Sequence, residues 1–229
     1  AGRIAYTELA PLSLSEVHLQ VPMADHWLKG GFPEALLAPK TTLAFRWLGS
    51  FFQTFIYRDL QVLGYGINNE TASKLLTMLS YLNGTLINMN DLSRSIGVTS
   101  PTINRYLDLL EGSFIIRRLQ PYHANVSKRL VKTPKVYFRD SGLLHYLSHI
   151  QSFEQLQQNP LVGASWEGYV IEQILRSLST DWQTYFYRTQ VGAETDLVLI
   201  SPNGQKTCIE IKLSNSPTVS KGFYECLKD

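Results

Sequence analysis

Two apolar segments near the end of the chain carry charged residues at alternating positions, and they set narrow limits on the fold. The first runs over residues 194–200 and the second over residues 208–212. Alternate side chains of a strand point to opposite faces, so Glu210 and Lys212 share one face, as Glu194 and Asp196 do on the first segment. The pattern predicts two strands that present acids and one lysine.

The turn between these strands decides whether the charges meet. Residues 201–205, Ser-Pro-Asn-Gly-Gln, hold two competing hairpin signals. A two-residue Asn-Gly loop pairs Asp196 with Ile211 and puts Asp196 on the wrong face for Glu210. A three-residue loop pairs Asp196 with Glu210, and its Pro, Asn and Gly suit a type I turn closed by a left-handed residue. We prefer the three-residue loop, which predicts that Asp196, Glu210 and Lys212 converge.

The composition is that of a soluble globular protein. The 229 residues are 44% hydrophobic and 17% charged, which is enough for two domains of ordinary size. No apolar run approaches the ~20 residues of a membrane helix, so we expect no membrane partner. The only two cysteines, Cys208 and Cys226, form no C-x-x-C pair, which favours a cytoplasmic location. A net charge of +2 does not identify a nucleic-acid partner.

Helical spacing dominates the first two thirds of the chain. Apolar residues recur at helical spacing over residues 41–60, which predicts a mostly buried helix. Residues 70–82 form a second helix. Asn90 can cap a third that ends at Gly97, and Ser100 starts a fourth that extends to about residue 110. The last two have helix-turn-helix spacing.

Strands and basic residues follow these helices and predict a winged helix. Residues 114–119 and 135–138 read as two strands that flank a basic loop. Six cations fall within residues 117–135, and no acid interrupts them in the sequence. Phosphates are plausible partners for such a cluster. The residues predicted to contact DNA are Thr102, Asn104, Arg105, Arg117, Arg118, Lys128, Arg129 and Lys132. Winged helices also serve as connectors or protein-binding modules, and Asp108 on the same helix weakens the DNA interpretation.

A polar segment over residues 151–159 separates this region from a final unit. There Ser165 can cap a helix whose apolar stripe lies close to Glu167. A buried, unpaired carboxylate is costly, so Glu167 must reach the edge or meet a cation. Residues 184–188 add one more strand, and the hairpin completes a sheet behind the helix.

These residues resemble the PD-(D/E)xK nuclease motif in their order along the chain. The resemblance implies that Asp196 and Glu210 hold Mg²⁺ through carboxylate oxygens and that Glu167 supports the metal site. It also implies that Lys212 orients or activates the attacking water. Thr195 stands where the proline of the motif usually lies. For an isolated E-x-K segment, an ordinary strand ion pair is the alternative.

The wider chain is similar to a prokaryotic family in which an AAA-type ATPase domain precedes a region with a winged helix and a nuclease-like end. The matching stretches include residues 11–16, 30–34, 125–143 and 166–167. The resemblance implies that residues 1–25 close an upstream ATPase domain, which alone would bind ATP. We therefore expect a fragment that lacks the nucleotide site and whose nuclease sheet is truncated.

The expected fold class is mixed α+β, with a helical winged-helix domain followed by a small α/β restriction-endonuclease-like domain. The predicted units are a remnant of the ATPase domain over residues 1–25 and a helical linker over 26–66. A winged helix-turn-helix domain over 67–150 and the nuclease-like domain over 151–229 follow. Two functions stay open, a metal-dependent nuclease driven by the ATPase and a non-catalytic DNA-binding or protein-docking region.

Overall fold

The computed structural model describes residues 7–63, 66–122 and 131–228. Over these residues the chain is mixed α+β, about half helical, with one five-stranded mixed sheet. The helices are α1 (Leu14–Val17), α2 (Met23–Lys29), α3 (Pro33–Leu36), α4 (Thr41–Thr54), α5 (Leu60–Val62), α6 (Asn69–Tyr81), α7 (Met89–Ile96), α8 (Ser100–Gly112), α9 (Ser141–Leu147), α10 (Phe153–Gln158), α11 (Val162–Arg176) and α12 (Lys221–Lys228). The strands are β1 (Ile116–Pro121), β2 (Lys135–Phe138), β3 (Gln183–Arg188), β4 (Glu194–Ile200) and β5 (Lys206–Ile209).

The long helix predicted over residues 41–60 is present. Helix α4 begins at Thr41, and a π-helical turn over Phe55–Asp59 joins it to α5. The apolar stripe is buried at Leu48, Phe52 and Ile56. Because this stripe packs against helices on both sides, the helix links the N-terminal elements to the rest of the molecule.

Helices α6, α7 and α8 form a compact unit around one apolar core. The predicted cap of α7 was wrong: Asn88 caps that helix, accepting hydrogen bonds from the backbone N–H groups of Asn90 and Asp91 at 3.1 and 3.2 Å. Gly97 ends α7 as predicted, in the left-handed conformation with φ of 82°. Helix α8 begins at Ser100, also as predicted.

The two strands predicted after α8 are both present. Strand β2 covers the predicted residues, whereas β1 starts at Ile116 because Phe114 adopts a left-handed φ of 62°. The strands pair antiparallel, and Leu86 bridges to Lys135 on the other edge of β2. All four residues of β2 are buried.

One sheet crosses the predicted domain boundary. Its strand order is β2-β1-β3-β4-β5, and β1 pairs parallel with β3 through Gln120–Tyr185 and Pro121–Phe186. The chain crosses from β2 to β3 through α9, α10 and α11. The segment predicted to separate two domains, residues 151–159, contains α10. Strands on both sides of residue 150 belong to one sheet. The domain boundaries at residues 66 and 150 therefore stay predictions from the sequence.

Helix α11 packs against this sheet and begins earlier than predicted. Leu161 occupies its N-cap position, so the prediction that Ser165 caps the helix was wrong. Ser165 lies inside the helix and is almost fully buried. Its hydroxyl tolerates burial because it forms hydrogen bonds with side chains of other elements. The Trp27 indole N–H donates to Ser165 Oγ at 3.0 Å, and Ser165 Oγ lies 2.7 Å from His145 Nε2.

The hairpin of β4 and β5 has the predicted three-residue loop. Cα partners run from Leu197–Ile209 to Ile200–Lys206, which sets Ser201 opposite Gln205. The Ser201 N–H donates to the Gln205 carbonyl at 3.0 Å, and Gly204 has a φ of 82°. Strand β5 ends at Ile209, so the predicted strand was too long at its C-terminal end. No helix in the described ranges is long and apolar enough to span a membrane.

Candidate functional site

A cavity of about 640 Å³ opens where β4 begins and β5 ends. Strand β4, the segment after β5, helix α11, strand β2 and helix α12 all contribute to its lining. The four residues predicted from the nuclease resemblance line this one cavity: Glu167, Asp196, Glu210 and Lys212. Other charged residues share it, namely Lys135, Arg188, Glu194, Lys221 and Glu225.

The hairpin register brings Asp196 beside the segment that follows β5. Asp196 is 7% exposed, and its Oδ2 accepts a hydrogen bond from the Ile211 backbone N–H at 2.7 Å. The ladder of backbone pairs ends at Leu197–Ile209, so this carboxylate takes over the next contact between the two segments. Local turn chemistry therefore positions an acid at the floor of the cavity.

The surroundings of Asp196 make its ionised form costly. Burial raises the pKa of the Asp196 carboxyl, and the negative charge of Glu167 raises it further. The hydrogen bond from Ile211 and the charges of Lys135 and Lys212 oppose this shift only in part, and the pKa settles at about 6. The positive charge near Asp196 therefore does not balance its burial and the charge of Glu167, a deficit that a bound cation would relieve.

Glu210 and Lys212 face the same side, as the strand alternation predicted. Lys212 Nζ lies 3.0 Å from Glu210 Oε1, and Ser220 Oγ donates to Glu210 Oε2 at 3.0 Å. Burial lowers the pKa of Lys212, but its bond to Glu210 and the charges of Asp196, Glu210 and Glu167 outweigh burial and leave the pKa raised. Lys212 is therefore a stable cation, and its side chain is 43% exposed at the cavity mouth.

Glu167 meets a cation, one of the two outcomes its position on α11 allowed. Its Oε1 lies 3.1 Å from Lys135 Nζ and also accepts a short hydrogen bond from the Tyr137 hydroxyl. Lys135 contacts Glu194 Oε1 at 2.5 Å as well, and the lysine side chain is 3% exposed. Arg188 pairs with the other oxygen of Glu194 at 3.1 Å. Strand β2 therefore supplies a buried cation to the acids of α11 and β4.

Lys135 stays charged in this position. Burial lowers the pKa of its ammonium group, but the two glutamates raise it by more, so that the pKa lies above its usual value. A buried lysine with two carboxylate partners is the arrangement that offsets the cost of removing the charge from water.

Helix α12 closes the cavity through a close approach to β4. A Cβ atom on Gly222 would lie 2.2 Å from the backbone nitrogen of Glu194, so only glycine allows this contact. The hydroxyl of Ser220, just before the helix, also lies 3.4 Å from the Glu194 carbonyl. Helix α12, which the sequence did not predict, thus fixes the wall opposite α11.

The acids fit Mg²⁺ in the chemistry of their donors, because this ion prefers carboxylate oxygens. Within residues 7–63, 66–122 and 131–228, however, no three His, Cys, Asp or Glu side chains are grouped so as to hold one ion. Glu167 and Glu210 are each paired with a lysine. Burial and the charge of Glu167 raise the pKa of Asp196, so this acid gains from a bound cation, whereas Glu167 would have to share its carboxylate with Lys135 or release the lysine.

The residues predicted to contact DNA fall into two groups. Asn104, Arg105 and Lys132 are exposed and Thr102 is partly exposed, whereas Lys128 and Arg129 lie outside the described residues. Asn104 and Lys132 line a second cavity, of about 650 Å³, between α7, α8 and the segment before β2. Although exposed, the Asn104 amide donates to Asp108 at 3.1 Å and accepts from Arg118 at 3.3 Å.

The other group is held by acids that are distant in sequence or on the preceding helix. Arg117 makes a two-pronged contact with the buried Glu172 of α11, at 2.5 and 3.1 Å. Arg118 pairs with Asp108 and Glu111, each at 2.6 Å. With Lys135 in the cavity, three of the six cations that cluster in the sequence are paired with acids from outside the cluster. The DNA contacts of Arg117 and Arg118 stay a prediction from the sequence.

The sequence did not indicate that Lys135 and Glu194 line the cavity or that Tyr137 bonds to Glu167. A weak signal existed, since Lys135 and Tyr137 are two residues apart on one strand and therefore share a face. Both side chains bond to Glu167. Nothing local indicates that this face turns toward α11.

Comparison with known proteins yields relatives without an assigned function. The chain is 38% identical over 230 residues to the uncharacterized protein Rv2008c of Mycobacterium tuberculosis, covering all of this chain and 51% of the relative. The uncharacterized protein Mb2031c of Mycobacterium bovis matches with the same identity and coverage. The chain thus spans about half the length of these curated relatives. No solved structure matches it significantly.

Two family models divide the chain close to α10. Residues 162–229, which hold α11, the hairpin and most of the cavity, match a domain of unknown function, DUF4143. Residues 22–154 match another domain of unknown function, DUF8612. Since that model covers more than half of its residues, the chain belongs to the DUF8612 family and carries a DUF4143 region behind it.

Proposed function

We propose that the region from α11 to α12 is a nuclease-like domain of the PD-(D/E)xK type that acts on DNA phosphodiesters with a divalent cation. The observation that carries this proposal is the shared cavity of Glu167, Asp196, Glu210 and Lys212. These residues come from a helix, a strand and the segment that follows the next strand, in the order of the motif. The nuclease-like fold of this region is itself part of the proposal. A nuclease-like fold would not by itself establish nuclease activity.

In this proposal Asp196 and Glu210 hold Mg²⁺, which would supply positive charge to the phosphate oxygens. The raised pKa of Lys212 favours a cationic role, in which its ammonium binds a phosphate oxygen or orients water rather than accepting a proton. Glu210 holds this lysine at 3.0 Å, toward the open mouth of the cavity. Substrate would therefore enter past Lys212.

We further propose that the unit over residues 67–150 binds DNA as a winged helix. Support comes from the order of the elements, which resembles that of a winged helix: α6, the bridge at Leu86, α7, α8, β1 and β2. The proposed contacts are Thr102, Asn104, Arg105, Lys132 and the undescribed Lys128 and Arg129. Arg117 and Arg118 are left out because their acids occupy them.

The upstream ATPase domain also belongs to the proposal. DUF4143 is commonly found beside AAA ATPase domains, which supports an ATPase in the other half of the whole protein. A phosphate-loop sequence in that half would support it further, and its absence would argue against it. The cytoplasmic location likewise stays a prediction from the cysteines.

A non-catalytic scaffold is the second candidate, and one observation favours it. Lys135 and Lys212 already neutralise three of the acids in the cavity, as an internal salt-bridge network would. In that case the cavity stabilises the fold, and the winged helix or another surface does the binding.

Cleavage of supercoiled plasmid in Mg²⁺ or Mn²⁺ separates the two candidates. We expect the protein to nick or cut the plasmid, and Asp196→Ala and Lys212→Ala to lower the rate by about a hundredfold or more. The matched controls are Asp181→Ala and Lys228→Ala, which change exposed residues of the same types. No cleavage by the unaltered protein, or equal cleavage by all variants, would overturn the catalytic proposal.

Binding of a labelled duplex, followed by fluorescence anisotropy between 50 and 200 mM salt (about the range over which phosphate contacts are resolved), tests the winged helix. Lys132→Ala should weaken binding and reduce the salt slope by about one. Lys74→Ala, an exposed lysine on α6, is the control and should leave both unchanged. Equal affinity in Lys132→Ala would argue for protein docking.

A further inference from the structure

Lys135 belongs to the basic segment over residues 117–135, and its side chain is buried. It is 3% exposed, belongs to the edge strand β2, and yet reaches acids on α11 and β4. The contact distances, 3.1 Å to Glu167 and 2.5 Å to Glu194, are those of full ion pairs. The Phe186 ring lies 5.5 Å from the ammonium group and shields it further from water. The lysine therefore acts as a cation built into the cavity wall.

We infer that Lys135 regulates the cation affinity of this cavity as an internal competitor of the divalent ion. The inference rests on the proposed metal-binding function of the same site. While Lys135 holds Glu167 Oε1, the charge of the lysine opposes an ion that would use the same carboxylate beside Asp196. An ion that recruits Glu167 must displace the lysine or share the acid with it. Lys135 is thus a positioning residue that acts through Glu167 and Glu194.

Charge counting supports a competition in this direction. The cavity is lined by five acids, Glu167, Glu194, Asp196, Glu210 and Glu225, and by four cations, Lys135, Arg188, Lys212 and Lys221. Removing Lys135 leaves five acids against three cations. Charges in a partly buried site interact far more strongly than they do in water, so the cavity would attract a divalent ion more strongly.

The lysine also ties the site to the winged-helix region. Strand β2 pairs with β1 and bridges to Leu86, so movement of these elements changes where Lys135 stands. Tyr137, on the same strand, bonds to the same oxygen of Glu167. A partner that shifts β2 would therefore alter the acids of the cavity without touching them.

Isothermal titration of Mn²⁺ into the 229-residue chain tests the inference. Lys135→Met should bind Mn²⁺ at least about tenfold more tightly than the unaltered protein. Lys135→Arg should bind as the unaltered protein does. Lys74→Met removes the same charge from an exposed position on α6, outside the cavity, and should change the affinity less than about twofold.

A second variant is expected to change the Mn²⁺ affinity in the opposite direction. It keeps the inference testable if circular dichroism shows that Lys135→Met does not fold. Glu194→Gln removes an acid and leaves Lys135 to Glu167, so it should weaken Mn²⁺ binding several-fold. Equal or weaker binding in folded Lys135→Met, or unchanged binding in Glu194→Gln, would overturn the inference.

These outcomes are distinguishable from the fate of the proposed function. Tighter Mn²⁺ binding in Lys135→Met without plasmid cleavage by any variant supports the inference and overturns catalysis. Cleavage by the unaltered protein together with unchanged Mn²⁺ affinity in Lys135→Met supports catalysis and overturns the inference. If no variant binds Mn²⁺, the inference and the metal role both fail.

Discussion

Two polar residues of α11, Ser165 and Glu167, stand two positions apart and have opposite surroundings. Ser165 is 1% exposed and belongs to a chain of neutral hydrogen bonds, from the Trp27 N–H to the Ser165 hydroxyl, then to His145 and the Leu28 carbonyl. Glu167 has a side chain that is 19% exposed and faces several charged groups. The two neighbouring positions therefore show how differently one helix can use buried polarity.

The neutral chain has one consistent set of donors and acceptors. Since the Leu28 carbonyl accepts, His145 Nδ1 carries the proton, which leaves Nε2 to accept from Ser165. No partner in this chain can be exchanged without leaving a buried group unpaired. The charged cavity differs, because its acids compete for a few cations and one of them, Asp196, has a pKa raised by burial and by its neighbour. The neutral hydrogen-bond chain is therefore fixed, whereas the acids of the charged cavity can change partners.

The largest effect is expected from Ser165→Ala. The change leaves the Trp27 N–H and His145 Nε2 without partners in the core, and each buried unpaired group is costly. We expect the free energy of unfolding to fall by roughly 3–5 kcal/mol, as measured by urea denaturation. A loss below about 1 kcal/mol would mean that the network is dispensable, and the contrast with the cavity would disappear.

Acid should weaken the neutral network through His145. Burial lowers the pKa of His145 to about 4, and the hydrogen bond to the Leu28 carbonyl opposes this shift only in part. In the unfolded chain the pKa of this histidine is 6.5. The folded pKa is depressed, so this stability is complete above about pH 6.5 and is lost as pH falls to about 4. We expect a loss of about 3 kcal/mol across that window. Burial lowers the pKa of His26 as well, which adds to the loss in the same direction.

Denaturation at a series of pH values measures this effect. His145→Gln should flatten the stability profile between about pH 6.5 and 4, because the titrating group is gone while an amide remains to hydrogen-bond. His18→Gln, at a solvent-exposed residue of α1's C-terminal end, is the control and should keep the profile. If the free energy of unfolding of His145→Gln falls with acid as steeply as that of the unaltered protein, another group causes the acid sensitivity.

The smallest effect on stability is expected from Glu167→Gln. The amide can still accept from Tyr137 and Lys135, and the lost ion pair is offset by weaker repulsion of Asp196. Glu194 still pairs with Lys135, so we expect a loss of no more than about 2 kcal/mol. Because the Glu167 charge helps to raise the pKa of Asp196, that pKa should fall below about 6, as followed by carboxyl carbon NMR. A stability loss as large as that of Ser165→Ala would make both networks structural.

Short-range features of this protein were predictable because their causes lie within a few residues. The proline, asparagine and glycine of the 201–205 turn fixed the hairpin register, and with it the proximity of Asp196 to the segment after β5. Gly97 ended its helix for a similar reason, a backbone conformation that glycine adopts without strain. The requirement that Glu167 find a cation or the surface also followed from elementary electrostatics.

The identity of that cation did not follow from the sequence. Lys135 stood among basic residues that predicted a phosphate contact, and only its burial between α11 and β4 showed another role. Arg117 is a similar case, since its partner Glu172 is 55 residues away. Side-chain type states which partners are possible, but the packing of distant elements selects among them.

By itself the sequence determined the hairpin, the helix-turn-helix spacing and the order of the acids, because turn chemistry, helix periodicity and strand alternation act over a few residues. Only the tertiary structure decided that β1 and β3 join two predicted domains in one sheet and that Lys135 enters the carboxylate cavity. The physical reason is that ion pairs and parallel strand pairing depend on the meeting of segments far apart in the chain, where the burial of apolar faces fixes which charges meet.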